Sequence, residues 1–261
     1  MILYKYLSYD AGIKILKTNS IGFRNPIDFN DPFELAATPY SPDYKKNTDF
    51  MKKINPLIRK RQWSKKTAVL SLTRQPMNPL MWAHYGENHK GIVIGFNVNL
   101  DIFTSMENNI IPVQFGSVIY TATKPKDFAF KDEHIKPGNL SSFEPSRLEQ
   151  LQRIFLYKSA HWSYEEEVRV VKSTQNPELS KIQTNNEIPL YTAHLEPNCI
   201  SEIYFGIRSE VLEDLANDKA IQCIQDIKRI HPKVSLFGCR SDDSSWAIHH
   251  FNIEEQCKNI S

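Results

Sequence analysis

The chain has 261 residues, 41% of them apolar and 24% charged, with a formal net charge of +2. That balance describes a globular protein with a core of ordinary size and excludes a disordered chain. No apolar run approaches the ~20 residues of a membrane span, and the opening MILYKYLSYD has no signal-peptide profile, so a cytoplasmic protein with no membrane partner is expected.

Residues 2–7, ILYKYL, read as a strand. Ser8 can cap a helix over about 9–18, with Ala11, Ile15 and Leu16 on its apolar side. A returning strand, IGFR at 21–24, leads into the turn-rich NPIDFNDPFE. Between Lys45 and Lys66 lie nine Lys and Arg, with Asp49 the only acid. This segment is expected to be helical in two pieces; it is either a solvated face or a contact for a phosphate-bearing or acidic macromolecule. AVLSLT at 68–73 alternates as a strand does.

Asn78 and Pro79 supply N-cap and first-turn signals for a helix that Gly91 can end. GIVIGF at 91–96 is a continuous apolar run, as in a central strand. A further strand is expected within 109–120, a long loop over 123–143 that could serve as a lid, and a helix over 145–160. Strands follow near 164–172, 187–195 and 200–206, then helices over 209–217 and 219–230 and a closing strand at KVSLFG. SWAIHHF reads as a capping strand. With no internal repeat and no Gly- or Ser-rich linker, one α+β domain spanning 1–261 is the economical expectation.

Three constellations could carry chemistry. In HWSYEEEVRVV at 161–171, strand alternation puts Glu165, Glu167 and Arg169 on one face and Glu166, Val168 and Val170 on the other. That acid–arginine row is either a solvated edge or, given the bulky HWSY upstream, the wall of a cleft. In FNDPFE at 29–34, Asn30 and Asp31 can cap local backbone in an Asx-turn, or Asp31 and Glu34 can project into the same cleft. In NPLMWAHYGENHKG, Trp82, His84 and Tyr85 can pack in the core or meet a planar ring. His84 and His89 are five apart, poor spacing for two metal ligands on one helix, so no metal is expected. The four cysteines form no C-x-x-C pair, and neither glycine-rich phosphate-binding motif occurs.

LYKYLS, FNDPFE, AVLSLT, NPLMWAHYGENHKGIVIGF and KSAHWSYEEEVRVV, in that order, resemble a widespread bacterial family of unassigned function often found in mobile or defence-like gene settings. The opening LYKYLSYDAGIKILKTNSIGFR and the late Glu167 are also similar to the ADP-ribosyltransferase superfamily. That resemblance implies a split β-sheet core with surrounding helices and NAD as a substrate whose nicotinamide–ribose bond is cleaved to modify a macromolecular target. Glu167 would be the catalytic carboxylate, with Glu165 as its partner and Asp31 third. Lys5, Arg24 or Arg169 would neutralise the pyrophosphate, and Tyr4, Tyr6 or Trp82 would sandwich the nicotinamide. Asn30, His84 and Tyr85 complete the expected nucleotide-binding set. The first strand has Tyr4, Lys5 and Tyr6 where that superfamily carries His or Arg. Two other readings stay open: a nucleotide- or peptide-binding module without turnover, and a nuclease in which Asp31, Glu34, Glu165 and Glu167 gather Mg²⁺.

Overall fold

The structure is a computed structural model describing residues 1–35, 61–124, 137–184, 188–213, 215 and 217–260. The expected two-piece helix thus lies mostly outside the described residues, as does much of the expected 123–143 loop. Among the described residues the strands are β1 (Ile2–Leu7), β2 (Ser20–Phe23), β3 (Thr67–Thr73), β4 (Ile92–Asn97), β5 (Ile119–Thr121), β6 (Tyr157–Ser159), β7 (Glu167–Ser173), β8 (Leu179–Ile182), β9 (Leu190–His194), β10 (Ile200–Phe205), β11 (Ser235–Ser241) and β12 (Ile248–Asn252). Helices and mixed sheets make it an α+β protein. The chain gathers into two compact units, 1–21 with 72–100 and 195–261, and 22–71 with 101–194.

In the first unit β4 lies between two partners, antiparallel to β1 from Ile2↔Asn97 to Leu7↔Ile92 and antiparallel to β10 on its other side. β10 runs parallel to β11, and β12 closes the edge antiparallel to β11. A parallel pair cannot be joined by a tight turn, and the crossover here is made by helices Glu210–Glu213 and Asp218–Ile230. The helix Tyr9–Thr18 begins where its sequence signals it: the Ser8 hydroxyl accepts from Ala11 N–H. Its Ile15 and Leu16 are buried, and Gly12 lies so close to Ile92 that an added Cβ would sit 3.1 Å from that side chain.

The helix at Pro79 starts as expected, with the Asn78 side chain accepting from Leu80 and Met81 N–H, but it ends at Tyr85 rather than at Gly91. Glu87, Asn88 and His89 then adopt left-handed backbone at φ 52°, 53° and 68°. This turn is fixed from outside: Glu87 Oε2 accepts from Tyr9 N–H at the head of the first helix, and Arg208 N–H donates to His89 O.

In the second unit β7 lies beside β3, and its other side is held by 110–118 through bridges Ile111↔Val171 and Ser117↔Val168. All seven β7 residues are buried. The expected strand over 109–120 is broken by a 3-10 turn, Val113–Phe115, just after Pro112, and only Ile119–Thr121 forms a strand. The expected helix over 145–160 shrinks to Leu148–Phe155, preceded by a 3-10 turn, and Tyr157–Ser159 instead pairs in parallel with β5. Leu140 and Phe143, from the expected loop, are buried in the same cluster as Trp63, Leu151, Phe155 and Val171.

Candidate functional site

The HWSYEEE stretch is not strand throughout. Ala160–Glu165 is a 3-10 turn, Glu166 is left-handed at φ 43°, and the strand begins at Glu167. The turn swings Glu165 round so that it and Glu167 reach one ammonium, that of Lys158 on β6, at 2.5 and 3.0 Å. Both acids are buried.

Arg169, two residues along β7, donates Nε to Glu167 Oε1 at 2.8 Å and Nη2 to Glu167 Oε2 at 2.9 Å. It makes a second fork with Glu34, Nη2 to Oε1 at 2.6 Å and Nη1 to Oε2 at 2.9 Å, and Nη1 also donates to Phe155 O. Lys158 Nζ lies 3.6 Å from Glu34 Oε1. Three carboxylates thus share two cations out of water, where such hydrogen bonds are strong and an unpaired member is costly. Burial alone would raise the Glu167 pKa, but Arg169 first and then Lys158 hold it well below the usual carboxylate range. Burial likewise opposes charge on Lys158, yet Glu167, joined by Glu165 and Glu34, raises its pKa above the ordinary lysine value. Gly116 makes room for this strand: a Cβ there would lie 1.9 Å from Arg169 O.

Glu34 and Lys158 also form part of the wall of a cavity of about 200 Å³, together with Asp31, Phe33, Lys124 and Tyr157. Asp31 is buried in the Asx-turn expected of it, Oδ1 accepting from Phe33 N–H at 2.8 Å. The Lys124 ammonium stands 5.1 Å over the Phe33 ring, and Lys158 stands 5.2 Å from the Trp162 ring. The wall thus carries two carboxylates, two ammonium groups and the Phe33 and Tyr157 rings.

Of the residues singled out by sequence, Glu165, Glu167 and Arg169 come together in the second unit, and Asp31 lines the cavity that Glu34 and Lys158 border. Asn30 and Arg24 are exposed there, Arg24 pairing with Asp28 at 3.4 Å. Tyr4, Lys5, Tyr6, Trp82, His84 and Tyr85 belong to the first unit. In it Trp82 is fully buried, edge-on to Tyr6 with ring centroids 5.3 Å apart and its indole N–H donating to Pro76 O. Lys158, Phe33, Lys124 and Tyr157 were not foreseen. Tyr157 and Lys158 lay inside what reads as a helix, and only their pairing with β5 reveals them. Asp31, Glu34, Glu165 and Glu167, the acids of the nuclease reading, meet lysine and arginine or backbone N–H here. Among the described residues no group of three or more His, Cys, Asp or Glu is placed to hold a metal ion.

Residues 81–170 match the family model described as Protein of unknown function (DUF2971). The matched segment carries MWAHYG and most of YEEEVRVV, so the resemblance to a family of unassigned function rests on this match. No curated protein and no solved structure matches the chain. Among the described residues no helix is long and apolar enough to cross a membrane.

Proposed function

We propose that the second unit binds NAD by its positively charged nicotinamide ring, in keeping with the resemblance to ADP-ribosyltransferases, and that the cavity beside Lys158 is where the ring sits. The observation that carries this reading is the cavity's lining, in which Asp31 stands with the Phe33 and Tyr157 rings, while both oxygens of Glu34 are held by Arg169. A pyridinium gains from the aromatic faces and the Asp31 carboxylate once the Lys124 ammonium over Phe33 gives way to it. The hollow is smaller than the roughly 300–1,000 Å³ of pockets that enclose whole ligands, which suits one end of a dinucleotide.

When the nicotinamide–ribose bond breaks, positive charge moves from ring to sugar, and a fixed carboxylate nearby stabilises it. Asp31 is the acid assigned to that task. Glu167 is a positioning residue: its two oxygens are occupied by Arg169 and Lys158, so it holds those cations rather than a ribose hydroxyl. That same occupancy favours a second reading, a nucleotide-binding module without turnover.

Calorimetry with NAD⁺ and NADH tests the common claim, because only the oxidised form carries the ring charge. NAD⁺ should bind and NADH should bind at least about fivefold more weakly, as the loss of a desolvated cation–ring contact implies. Asp31→Asn should lose the preference. Equal affinities would sink the reading. Nicotinamide release then separates the transferase from the binding module.

A further inference from the structure

The first unit carries a second constellation. Register places Tyr4 of β1 opposite Gly95 of β4, Gly95 opposite Glu202 of β10, and Tyr204 of β10 opposite Phe237 of β11. These residues share one face of the sheet, with His250 of β12 beside them. Because Gly95 has no side chain, the Tyr4 ring lies across β4 and its hydroxyl donates to Glu202 Oε2 at 3.0 Å. A Cβ on Gly95 would come within 3.1 Å of both Tyr4 and Glu202. The Tyr204 hydroxyl donates to the same oxygen at 2.9 Å. Tyr204 stacks on Phe237 with centroids 4.8 Å apart, and both meet the His250 ring nearly at right angles, at 5.5 and 5.0 Å.

The other end of this face is covered where Tyr6 packs on Trp82. At this end Tyr4, Glu202 and Phe237 are half-buried and His250 is exposed. Burial first and then the Glu202 charge push the Tyr4 phenol up to about 12, so it stays a donor and Glu202 stays pinned. Both hydroxyls go to Oε2, and among the described residues Glu202 makes no ion pair. Within the registered strands no Lys or Arg shares the face.

We infer that this aromatic tract around Glu202 is a docking site for an arginine side chain presented by a partner peptide. A guanidinium is planar, can donate to Glu202 Oε1, and can lie against the Tyr4 and Phe237 rings while it does so. Charge decides against the other occupant that stacked aromatics on a sheet invite, a single-stranded nucleic acid. Its phosphates would meet a carboxylate and no cation on the face. The site lies in the other unit from the proposed NAD cavity and does not depend on that reading.

The test is fluorescence anisotropy with a labelled Gly–Ser peptide carrying two arginines, beside the same peptide with citrulline, which keeps the shape and loses the charge. The arginine peptide should bind, and both citrulline replacement and Glu202→Gln should weaken it by at least about tenfold, the scale for a half-buried charge partner. Glu202→Gln keeps an oxygen for the tyrosine hydroxyls, so its melting curve should match the parent; should it unfold, His250→Ala, an exposed change, takes its place with an expected loss of about twofold or more. The inference is overturned if arginine and citrulline peptides bind alike, if the folded variants bind as the parent does, or if labelled oligouridine binds in preference.

Discussion

Arg169 and Glu34 stand 135 positions apart in the chain, yet they meet through two parallel N–H···O contacts of 2.6 and 2.9 Å in a place closed to water. The pair clamps the 29–35 turn to β7. Glu34→Ala empties one fork of Arg169 and leaves the other on Glu167, so it should cost about 1.5–3 kcal/mol of stability, the scale of hydrogen bonds to a charged group. Urea unfolding measures it. Replacing both, Glu34→Leu with Arg169→Met, should cost more than Glu34→Ala, because the buried Glu165 and Glu167 are then left to share the Lys158 ammonium. A double variant as stable as Glu34→Ala would mean that Arg169 does not hold the charge of Glu167.

Acid should weaken the second unit in a defined window. Glu167 has an ordinary carboxyl value of 4.5 when unfolded and a lower one when folded, so its contribution is complete above about pH 5 and is lost as pH falls towards the folded value. Lys158 is displaced the other way: its contribution is complete below the unfolded value of 10.5 and fades only as pH climbs past it towards the raised folded value. Melting temperature should therefore be flat from pH 5 to 8 as far as these groups are concerned. Glu167→Gln should reduce the drop below pH 4.5; an unaltered acid limb in that variant would assign the acid sensitivity elsewhere.

Lys124 places its own ammonium over Phe33, where the proposed ligand's charged ring would go. Binding must displace it. An exposed cation–ring contact is worth about 0.5–1 kcal/mol, so Lys124→Gln should tighten NAD⁺ by about two- to fivefold while leaving the melting temperature near the parent's. Weaker binding in this variant would show the lysine to be a ligand contact, reversing the role given to it.

Signals that act within a few residues were legible in the sequence. Ser8 and Asn78 both cap the helices they were expected to cap, because a side-chain oxygen and an N–H three or fewer residues on need no tertiary partner. Asp31 likewise makes its own turn. Features set by distant contacts were not legible. Tyr157–Ser159 carries helical periodicity but is extended because β5 offers hydrogen bonds to it, and that overrides a weak propensity. The same rearrangement hid Lys158, the cation on which Glu165 and Glu167 converge. Alternation put Glu165 and Glu167 together for a reason that does not hold, since Glu165 reaches the site from a 3-10 turn.

The left-handed turn at 87–89 predicts a stabilising substitution. Asn88 is exposed and sits at φ 53°. Asparagine tolerates that region better than most residues but glycine enters it without cost, so Asn88→Gly should be neutral or gain up to about 0.5 kcal/mol, whereas Asn88→Val should lose about 1–2 kcal/mol. Denaturant midpoints separate the two. Valine tolerated without loss would mean that the contacts of Glu87 and His89 do not hold the turn in this conformation.

Thiol chemistry should report on the first unit from inside. Cys199 and Cys239 are both buried. Burial pushes the Cys239 thiol up to about 12, and burial with the nearby Glu196 does the same to Cys199. Since the thiolate is the reactive form, both should be all but silent to iodoacetamide at pH 8 and should label once urea opens the fold. Mass spectrometry of quenched samples assigns each site. Labelling of Cys239 at the unfolded rate in native buffer would require β11 to be open to solvent, and with it the strand that carries Phe237 beside Tyr204. Protection of both thiols would instead indicate that the sheet under Glu202 is closed in solution.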